Sequence, residues 1–406
     1  MQLVEKHIIN KSNNCYKECD NLSFLSKNLY NRANYIIRQS FIHNNIYFSY
    51  GDINRMMIDN NDRDYISLPR KVSNGTLRLL EKNWKSFFNA IKDYKKNPSK
   101  YFGQPKLPKY KNPKKGRSVV IYEKGAIYKR DLVKNQILKL SKTNIEIKTK
   151  LTYEEIQAVR IVPKTNNYTI EIIYNKEEKD YGLNKENMMG IDMGVNNLAS
   201  VALTTGDTFI LNGKPLKSIN QYFNKNRAKY QSKLKKDQYK TNRIDRLYNK
   251  RNNKINDYLH KSSRYIIDYC LANNVGTIII GKNKNWKQNI KIGKRNNQNF
   301  VNIPFNKFIT MIQYKAKLIG IEVIVHEESY TSKCSFVDNE AVKKHKQYKG
   351  KRIKRGLFKT LNGVVINADV NAAFNIIRKV VPLFNVNSLN YGIEDVAVHP
   401  LRISFS

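Results

Sequence analysis

Two aspartates in this sequence occupy positions where a core role is difficult to justify. Asp192 follows the apolar run 188–191 and precedes the turn residues 193–197, so it is predicted to end a strand. A buried carboxylate without a partner costs several kcal/mol, so Asp192 must be ion-paired, hydrogen-bonded or bound to a cation. Asp369 lies in INADVNAAF at the start of a predicted helix, where a capping or helix-dipole role is the alternative explanation. A fold that brings both together would create a candidate cation site.

The charge of the chain indicates a polyanionic partner. The 406 residues include 74 Lys and Arg against 33 Asp and Glu, a net charge of +41. Genomic AT bias, which enriches Lys, Asn, Ile and Tyr together, would explain part of this excess but not its concentration. Residues 95–117 and 343–359 each hold nine Lys or Arg and no acid, and 225–254 hold twelve against two Asp. Basic runs in both halves favour a nucleic-acid channel over solvated helix faces.

Several classes of protein are excluded by simple counts. The first six residues carry charges and lead into no apolar run, so no secretory signal is expected, and no stretch approaches the ~20 apolar residues of a membrane span. The cysteines are too few and scattered for a disulfide framework: Cys15, Cys19, Cys270 and Cys334. We expect a folded cytoplasmic, nucleoid-associated prokaryotic protein with no membrane partner and no small-molecule substrate.

The elements that must position these residues change in character along the chain. Apolar periodicity predicts helices over 20–42 and from about 72 to 95, and four prolines make 95–117 an extended loop. Short β runs over 118–174 suggest a small antiparallel barrel that a strand within 1–18 could complete. After a polar linker, strands and helices alternate as in an α/β domain. The predicted elements are strands at 188–192, 275–281 and 321–326, and helices at 241–271, 305–319 and 367–381.

Specific segments resemble a known family. GIDMGVNN, TSKCS and NADVNAAFNI, in this order and spacing, are similar to the TnpB family of transposon-encoded RNA-guided nucleases, relatives of the type V CRISPR effectors. NLYNRANYIIRQ, LPRKVSNGTLRLLEKNWKSFF and GQPKLPKYK are similar to that family's first half. The resemblance implies a guide RNA encoded nearby, and double-stranded DNA as the substrate.

The resemblance also implies a multidomain α/β plus β fold. Its parts would be a wedge β-barrel at 1–18 and 118–180, a helical recognition insert with the basic loop at 19–117, and a linker at 181–187. A RuvC-like nuclease domain of RNase H fold would follow at 188–328 and 364–406. Residues 329–363 would form a target-nucleic-acid-binding insert, a degenerate zinc-finger-like element.

One catalytic acid of the family is missing from its usual place. Phosphodiester hydrolysis by two Mg²⁺ or Mn²⁺ ions ~3.5–4 Å apart needs several carboxylates converging on one spot. Asp192 and Asp369 match the family's first and third acids, but VGTIIIG ends in Gly281, where most relatives carry Glu. The next strand ends in Glu327 and Glu328, and in an RNase H sheet that end can lie beside Gly281. We expect one of these two to supply the third ligand; the alternatives are a solvated acidic pair and a dead nuclease.

A second departure concerns zinc. Many relatives carry two CxxC pairs in the insert, whereas this chain has only Cys334, with His345 eleven residues later. One Cys and one His cannot close a tetrahedral site, so no zinc is expected. The insert should instead be held by packing of apolar side chains: Phe336, Tyr348, Ile353 and Leu357.

These observations lead to one hypothesis and two alternatives. The hypothesis is an RNA-guided endonuclease that cleaves double-stranded DNA beside a short flanking motif, with Asp192, Glu327 or Glu328, and Asp369 holding Mg²⁺. The alternatives are a nuclease-dead RNA-guided repressor and a guide-independent basic DNA-binding protein. Candidate nucleic-acid contacts are Lys71, Asn74, Lys82, Lys85, Lys106, Lys109, Lys111, Arg251, Arg352 and Arg355.

Overall fold

A computed structural model describes residues 1–236, 238–239, 241–283, 293–389 and 400–405, with the backbone only at 294 and 295. The chain forms two compact units, Met1–Lys176 and Glu177–Ser406. In the portion described, no helix is both long and apolar enough to cross a bilayer.

The N-terminal unit contains the two predicted long helices. Its helices are α1 (Tyr16–Asn44), α2 (Tyr50–Asp59), α3 (Arg63–Ile66), α4 (Arg70–Lys96) and α5 (Lys129–Asn135). Trp84 of α4 is fully buried, and its Nε1 donates to Asn34 Oδ1 of α1 at 3.0 Å, so the two amphipathic faces pack on each other. The sequence pattern missed α2, whose signal is the capping box between Ser49 and Asp52.

The strands of this unit join distant parts of the sequence. They are β1 (Gln2–Ile9), β2 (Val120–Glu123), β3 (Ile137–Lys139), β4 (Glu146–Lys148), β5 (Ile156–Pro163) and β6 (Tyr168–Asn175). β1 pairs with β6 along its whole length, so the helices are inserted into a β-domain as expected. Within residues 1–176, strand pairing gives a β1-β6-β5-β2 sheet and a separate β3-β4 hairpin rather than one closed ring. The chain between β2 and β5 forms that hairpin instead of extending the sheet.

The C-terminal unit is built on a mixed sheet. Its strands are β7 (Met188–Asp192), β8 (Asn197–Leu203), β9 (Thr208–Asn212), β10 (Thr277–Gly281), β11 (Glu322–His326), β12 (Lys351–Lys354), β13 (Leu357–Lys359), β14 (Val365–Asn367) and β15 (Leu401–Ile403). The main sheet has the order β11-β10-β7-β8-β9-β15, and β12-β13-β14 form a small separate sheet. β10 runs parallel to both β7 and β11, which places the carboxyl ends of these three strands at one edge.

Helices cover both faces of the main sheet. They are α6 (Lys214–Gln231), α7 (Asn242–Ala272), α8 (Lys294–Asn302), α9 (Phe305–Lys317) and α10 (Ala368–Val380). Strand side chains alternate between faces, so Ile278 and Ile280 join the core that includes α7 and α9, while Ile279 joins the core that includes α10. α6 was not expected from the sequence, although Leu216 and Phe223 bury one of its faces.

Candidate active site

The β7 strand directs Asp192 toward α10. Met189 and Ile191 pack into the core on the α7 side, so the alternating residues Gly190 and Asp192 face the opposite side, where α10 lies. Gly190 lacks a side chain, and the carbonyl of Ala373 occupies the place where its Cβ would be. This close approach, expected from the alanines of α10, brings the first turn of that helix to the end of β7.

Asp369 is held by donors on both of its carboxylate oxygens. Asn197 Nδ2 donates to Oδ2 at 2.7 Å, and the Arg352 guanidinium donates to Oδ1 at 2.5 Å. The cap of α10 is a different residue: Asn367 Oδ1 accepts from the backbone N–H of Asp369 at 3.0 Å and of Val370 at 3.2 Å. The capping role considered for Asp369 therefore belongs to Asn367, and the Asp369 carboxylate faces Asn197 and Arg352.

Asp192 lies within a group of like charges. Burial first, and then the negative charges of Asp369 and Glu328, raise the pKa of Asp192 well above its usual range, while Arg352 opposes this shift. A buried carboxyl whose pKa is raised by neighbouring carboxylates is characteristic of functional sites, cation sites among them. The sheet thus brings together three of the four acids that the sequence singled out.

Glu328 occupies the space beside Gly281. β10 and β11 are in parallel register with Gly281 opposite His326, so Glu328 follows two residues beyond that pair. A Cβ added at Gly281 would lie 2.8 Å from Glu328 Oε2 and 2.5 Å from Ile376 Cδ1. The Glu328 carboxylate therefore stands where a side chain from position 281 would begin.

The surroundings of Glu328 leave one carboxylate oxygen available. Asn283 Nδ2 donates to Oε1 at 3.2 Å, whereas Oε2 is buried and has no hydrogen-bond partner in the described part of the molecule. Burial and the neighbouring Glu327 raise the pKa of Glu328 to about 7, against the opposing charge of Lys379. A buried oxygen without a donor is the kind of atom that a metal ion would satisfy.

Glu327 has a different role. Its side chain is exposed and forms an ion pair with Lys379 Nζ at 2.7 Å, and Ser329 donates to it from its backbone N–H at 2.9 Å. Burial is the largest single effect on the pKa of Glu327 and raises it, but the hydrogen bonds from Lys379 and Ser329 and the charge of Lys379 together outweigh burial and lower the pKa. The two candidate acids are thus distinguished by their surroundings: Glu328 lies against Gly281 and its charge acts on Asp192, whereas Glu327 pairs with Lys379.

The donor chemistry fits a hard divalent cation, although a neighbouring arginine occupies part of the site. Among the residues described, no three acidic, histidine or cysteine groups form a ready ligand set, in keeping with the engagement of both Asp369 oxygens by protein donors. Asp192, Glu328 and Asp369 would supply carboxylate oxygens of the kind Mg²⁺ prefers. If a cation replaced the Arg352 guanidinium at Asp369 Oδ1, that oxygen would be able to bind the cation.

The candidate nucleic-acid contacts divide into two groups. Lys71, Lys82, Lys106 and Lys109 have exposed side chains. The other six already contact protein groups. Asn74 accepts from Tyr65, Lys85 pairs with Glu81, Lys111 lies over Tyr30, Arg251 donates to Asn220 and to the Asn302 carbonyl, Arg352 pairs with Asp369, and Arg355 lies beside the Asn196 amide.

The insert is held by polar groups that the sequence analysis overlooked. Asn371, Asn375 and Arg378 lie on one stripe of α10 and donate to backbone carbonyls of the insert, among them Cys334 and Phe336. Of the apolar residues expected to hold it, Phe336 is buried and stacks on Phe374 at 4.6 Å, but Ile353 is 45% exposed. That expectation was therefore wrong for Ile353, because β12 is exposed throughout. The spacing NxxxNxxR in the helix is the signal that could have indicated this role.

Comparisons with known proteins agree with this architecture. A family model named OrfB_IS605, described as "Probable transposase", matches residues 171–287, and a Cas12f1-like TNB domain model matches residues 305–376. A cryo-EM structure of a Cas12f1–sgRNA–target DNA complex aligns with a TM-score of 0.55 at 16% identity, covering 89% of this chain and 82% of that one. This likeness concerns the fold.

Curated proteins also match in sequence. The chain is 28% identical over 242 residues to the CRISPR-associated endodeoxyribonuclease Cas12f1 of Sulfoacidibacillus thermotolerans, covering 55% of this chain and 53% of that protein. It is 31% identical over 209 residues to the TnpB-like protein MJ0751 of Methanocaldococcus jannaschii, covering 48% of this chain and 70% of that protein. This last match, together with the OrfB and TNB models, makes the chain a member of the TnpB family, related to the type V effectors.

Proposed function

We propose that this protein is an RNA-guided endonuclease that cleaves double-stranded DNA next to a short flanking motif. The observation that carries the proposal is the Glu328 carboxylate at Gly281, whose negative charge acts on Asp192 together with that of Asp369. A chain that lacks the usual acid at the end of β10 has an acid in the same space from the end of β11. That arrangement is difficult to explain in a protein without a metal-dependent task.

The C-terminal unit would be the nuclease domain, with a RuvC-like site on an RNase H fold. Its order of strands supports this assignment: an antiparallel β7-β8-β9 meander is followed by the parallel strands β10 and β11 beside β7. The N-terminal unit, with helices inserted between β1 and β6, would be the wedge and recognition region. The match of residues 305–376 to a TNB model supports a target-binding role for the insert.

The residues of the site would act as follows. When bound by Asp192, Glu328 and Asp369, Mg²⁺ ions would activate water and stabilise the leaving oxygen of a phosphodiester. Asn197 orients Asp369, and Asn283 orients Glu328, so two amides fix the directions of two carboxylates. Lys379 keeps Glu327 in an exposed ion pair. Arg352 balances the negative charge of the metal-free site and is suitably placed to bind a DNA phosphate.

The proposed partners are a guide RNA and double-stranded DNA. The net charge of +41, with acid-free basic stretches in both units, supports binding of polyanions. The related Cas12f1 is an endodeoxyribonuclease, and the Cas12f1 chain of similar fold is complexed with a single-guide RNA and target DNA. A guide would read the target by base pairing, while the protein recognises the shape of the duplex.

A nuclease-dead repressor remains the second candidate because of Gly281. It predicts target binding without cleavage. The acids at 192, 328 and 369 favour cleavage, since a site without catalytic work gains nothing from a buried Asp192 whose pKa is raised further by the charges of Asp369 and Glu328.

The test is cleavage of a plasmid that matches the guide RNA sequenced from the purified protein, in the presence of Mg²⁺. We expect wild type and Glu327→Gln to cut, and Glu328→Gln to lose cleavage by at least about a hundredfold. Glu327→Gln is the matched control, because it removes the adjacent acid whose side chain is exposed. If wild type binds the target but never cuts it, the repressor hypothesis is correct. If Glu328→Gln cuts at the wild-type rate, the third carboxylate is supplied by another residue.

A further inference from the structure

Residues 105–117, here called the basic track, form an extended segment with six Lys or Arg and no acid. Four side chains of α1 hold its backbone: Lys27, Asn31, Asn34 and Arg38. Their spacing of three or four residues places them on one stripe of the helix. The segment has no strand partner within residues 1–176, so these side chains supply hydrogen bonds that a sheet would otherwise provide.

The strongest of these attachments is made by Asn31. Its Nδ2 donates to the Lys111 carbonyl and its Oδ1 accepts from the Lys111 N–H, both at 2.9 Å, as a neighbouring strand would. Asn34 and Arg38 donate to the Pro108 carbonyl at 3.0 and 2.9 Å, and Lys27 donates to the Pro113 carbonyl at 2.6 Å. The path of the basic track is therefore fixed in the protein alone.

The cations of the basic track fall into two groups. The Lys111 ammonium lies 4.9 Å from the Tyr30 ring centroid and Arg117 pairs with Asp20 at 2.8 Å, so both serve the protein itself. Lys106, Lys109, Lys114 and Lys115 are exposed. A fixed backbone thus presents four ammonium groups to solvent, which suits a chain of phosphates.

A hollow of about 530 Å³ adjoins the basic track. Phe41, Phe87 and Ile91 form its apolar floor with Leu107, and Lys106 and Lys109 lie at its edge. Phe41 and Phe87 are only partly buried. Aromatic surface beside cations is the arrangement by which proteins bind unpaired nucleotides, with bases stacked and phosphates neutralised.

We propose that the basic track and this hollow bind an unpaired segment of the guide RNA, and that the uncharged Asn31 sets the affinity as a positioning residue. The identity of the RNA rests on the proposed function. An unpaired strand fits because a duplex keeps its bases stacked inside, away from an apolar hollow. RNA fits better than target DNA because the target of the proposed function is a duplex, whose bases are paired and stacked, whereas a guide RNA has unpaired segments. Fixing the track beforehand lowers the entropy lost on binding.

The experiment measures binding by fluorescence anisotropy at several salt concentrations, with single-stranded RNA, single-stranded DNA and duplex DNA of about 20 nucleotides. The full-length variants are Asn31→Ala, the double variant Lys106→Gln/Lys109→Gln, and Asn89→Ala as control. Asn89 is an exposed asparagine of α4 outside the basic track. Thermal unfolding and trypsin cleavage within the track report whether Asn31→Ala loosens this segment alone.

We expect the lysine pair to reduce the salt slope of RNA binding by about 1.4, since two phosphate contacts are lost. Asn31→Ala should weaken RNA binding about three- to tenfold and reduce the salt slope although it removes no charge. It should also speed trypsin cleavage in the track. Asn89→Ala should match wild type in every measurement.

Two results would overturn the inference. In one, Asn31→Ala speeds cleavage of the track but leaves RNA affinity and salt slope unchanged. In the other, the lysine pair weakens only duplex DNA binding, which would assign the surface to the target. Neither result depends on nuclease activity, so a protein that binds RNA in this way but never cuts DNA would contradict the proposed function and leave this inference standing.

Discussion

At the scale of single residues, the candidate site has a carboxylate from Glu328, just after β11, in the space beside Gly281 at the end of β10. Gly281 and Glu328 belong to adjacent parallel strand ends, and the carboxylate of the second fills the space above the first. The backbone of Gly281 lies outside the left-handed region, so its conformation accepts an L side chain. The obstacle to a larger residue at 281 is therefore Glu328 itself, together with the flexible tip of Ile376.

This geometry predicts that the third carboxylate can be moved from position 328 to position 281 with part of the cleavage activity retained. Glu328→Gly should abolish cleavage, and the double variant Glu328→Gly/Gly281→Glu should recover part of it, because removal of the Glu328 side chain frees the space. Gly281→Glu alone should impair folding or activity, since its Cβ would meet Glu328 at 2.8 Å. The measurement is Mg²⁺-dependent plasmid cleavage. No recovery in a double variant that folds and binds target would contradict this prediction.

The raised pKa of Glu328 predicts a pH-dependent stability. A carboxyl with a pKa of about 7 in the folded state and an ordinary value when unfolded destabilises the fold once ionised. The penalty is absent at pH 4, grows as pH rises, and is complete above pH 7. Glu328→Gln should therefore stabilise the metal-free protein at pH 8 by about 1–3 kcal/mol and hardly at pH 4.

Thermal unfolding in a chelator checks this expectation, with Glu327→Gln as the control. Because the pKa of Glu327 is lowered by Lys379 and Ser329, its removal should destabilise slightly at pH 8, the opposite sign. Equal effects of Glu328→Gln at both pH values would contradict the assigned environment.

At the scale of elements, two helices tie irregular segments to the fold by evenly spaced polar side chains. On α10 the stripe is Asn371, Asn375 and Arg378, and it binds the insert. The Arg378 guanidinium donates to the carbonyls of Phe336, Glu340 and Phe384 and lies 4.4 Å from the Phe336 ring centroid. A buried guanidinium thus joins three separate backbone positions to α10.

Removal of this attachment should destabilise the insert. Arg378→Met keeps the stem but leaves the carbonyls of Glu340 and Phe384 without a donor and removes one of the two donors of the Phe336 carbonyl, so we expect a loss of about 3 kcal/mol or more. Chelators should not change the unfolding temperature of wild type, because the tetrahedral ligand set is missing from the sequence. Elemental analysis showing one equivalent of zinc, or an unfolding temperature lowered by chelator, would contradict this prediction.

At the scale of the whole molecule, the proposed function assigns binding and cleavage to separate groups of residues. The exposed lysines of the basic track belong to the N-terminal unit, and the carboxylates of β7, of the end of β11 and of α10 belong to the C-terminal unit. Asp192→Asn should therefore reduce cleavage at least about a hundredfold while RNA and target affinity change less than about threefold. Gel-shift and cleavage assays on one preparation measure both. Cleavage near the wild-type rate would contradict the site.

How much the sequence alone could predict differs between elements and contacts. Periodicity indicated α1, α4, α7, α9 and α10, because each buries a continuous apolar face. It missed α2 and α6, and it treated the insert as apolar packing. Local patterns report which face is buried, and they carry no information on the carbonyls that a polar stripe will meet.

The sequence by itself determined that this is a basic protein of the TnpB type and singled out Asp192 and Asp369 as candidate acids, since those motifs are local. Only the tertiary structure showed that Glu328, and not Glu327, lies against Gly281, because that depends on the register of β10 and β11 and on the position of Lys379 in a helix 52 residues away. It also showed that Asn367 caps α10 and that Arg352 contacts Asp369. The Asn367 cap is local, although the sequence analysis considered Asp369 for that role. The contacts of Arg352 with Asp369 and of Lys379 with Glu327 join residues 17 and 52 positions apart, so no local pattern could specify them.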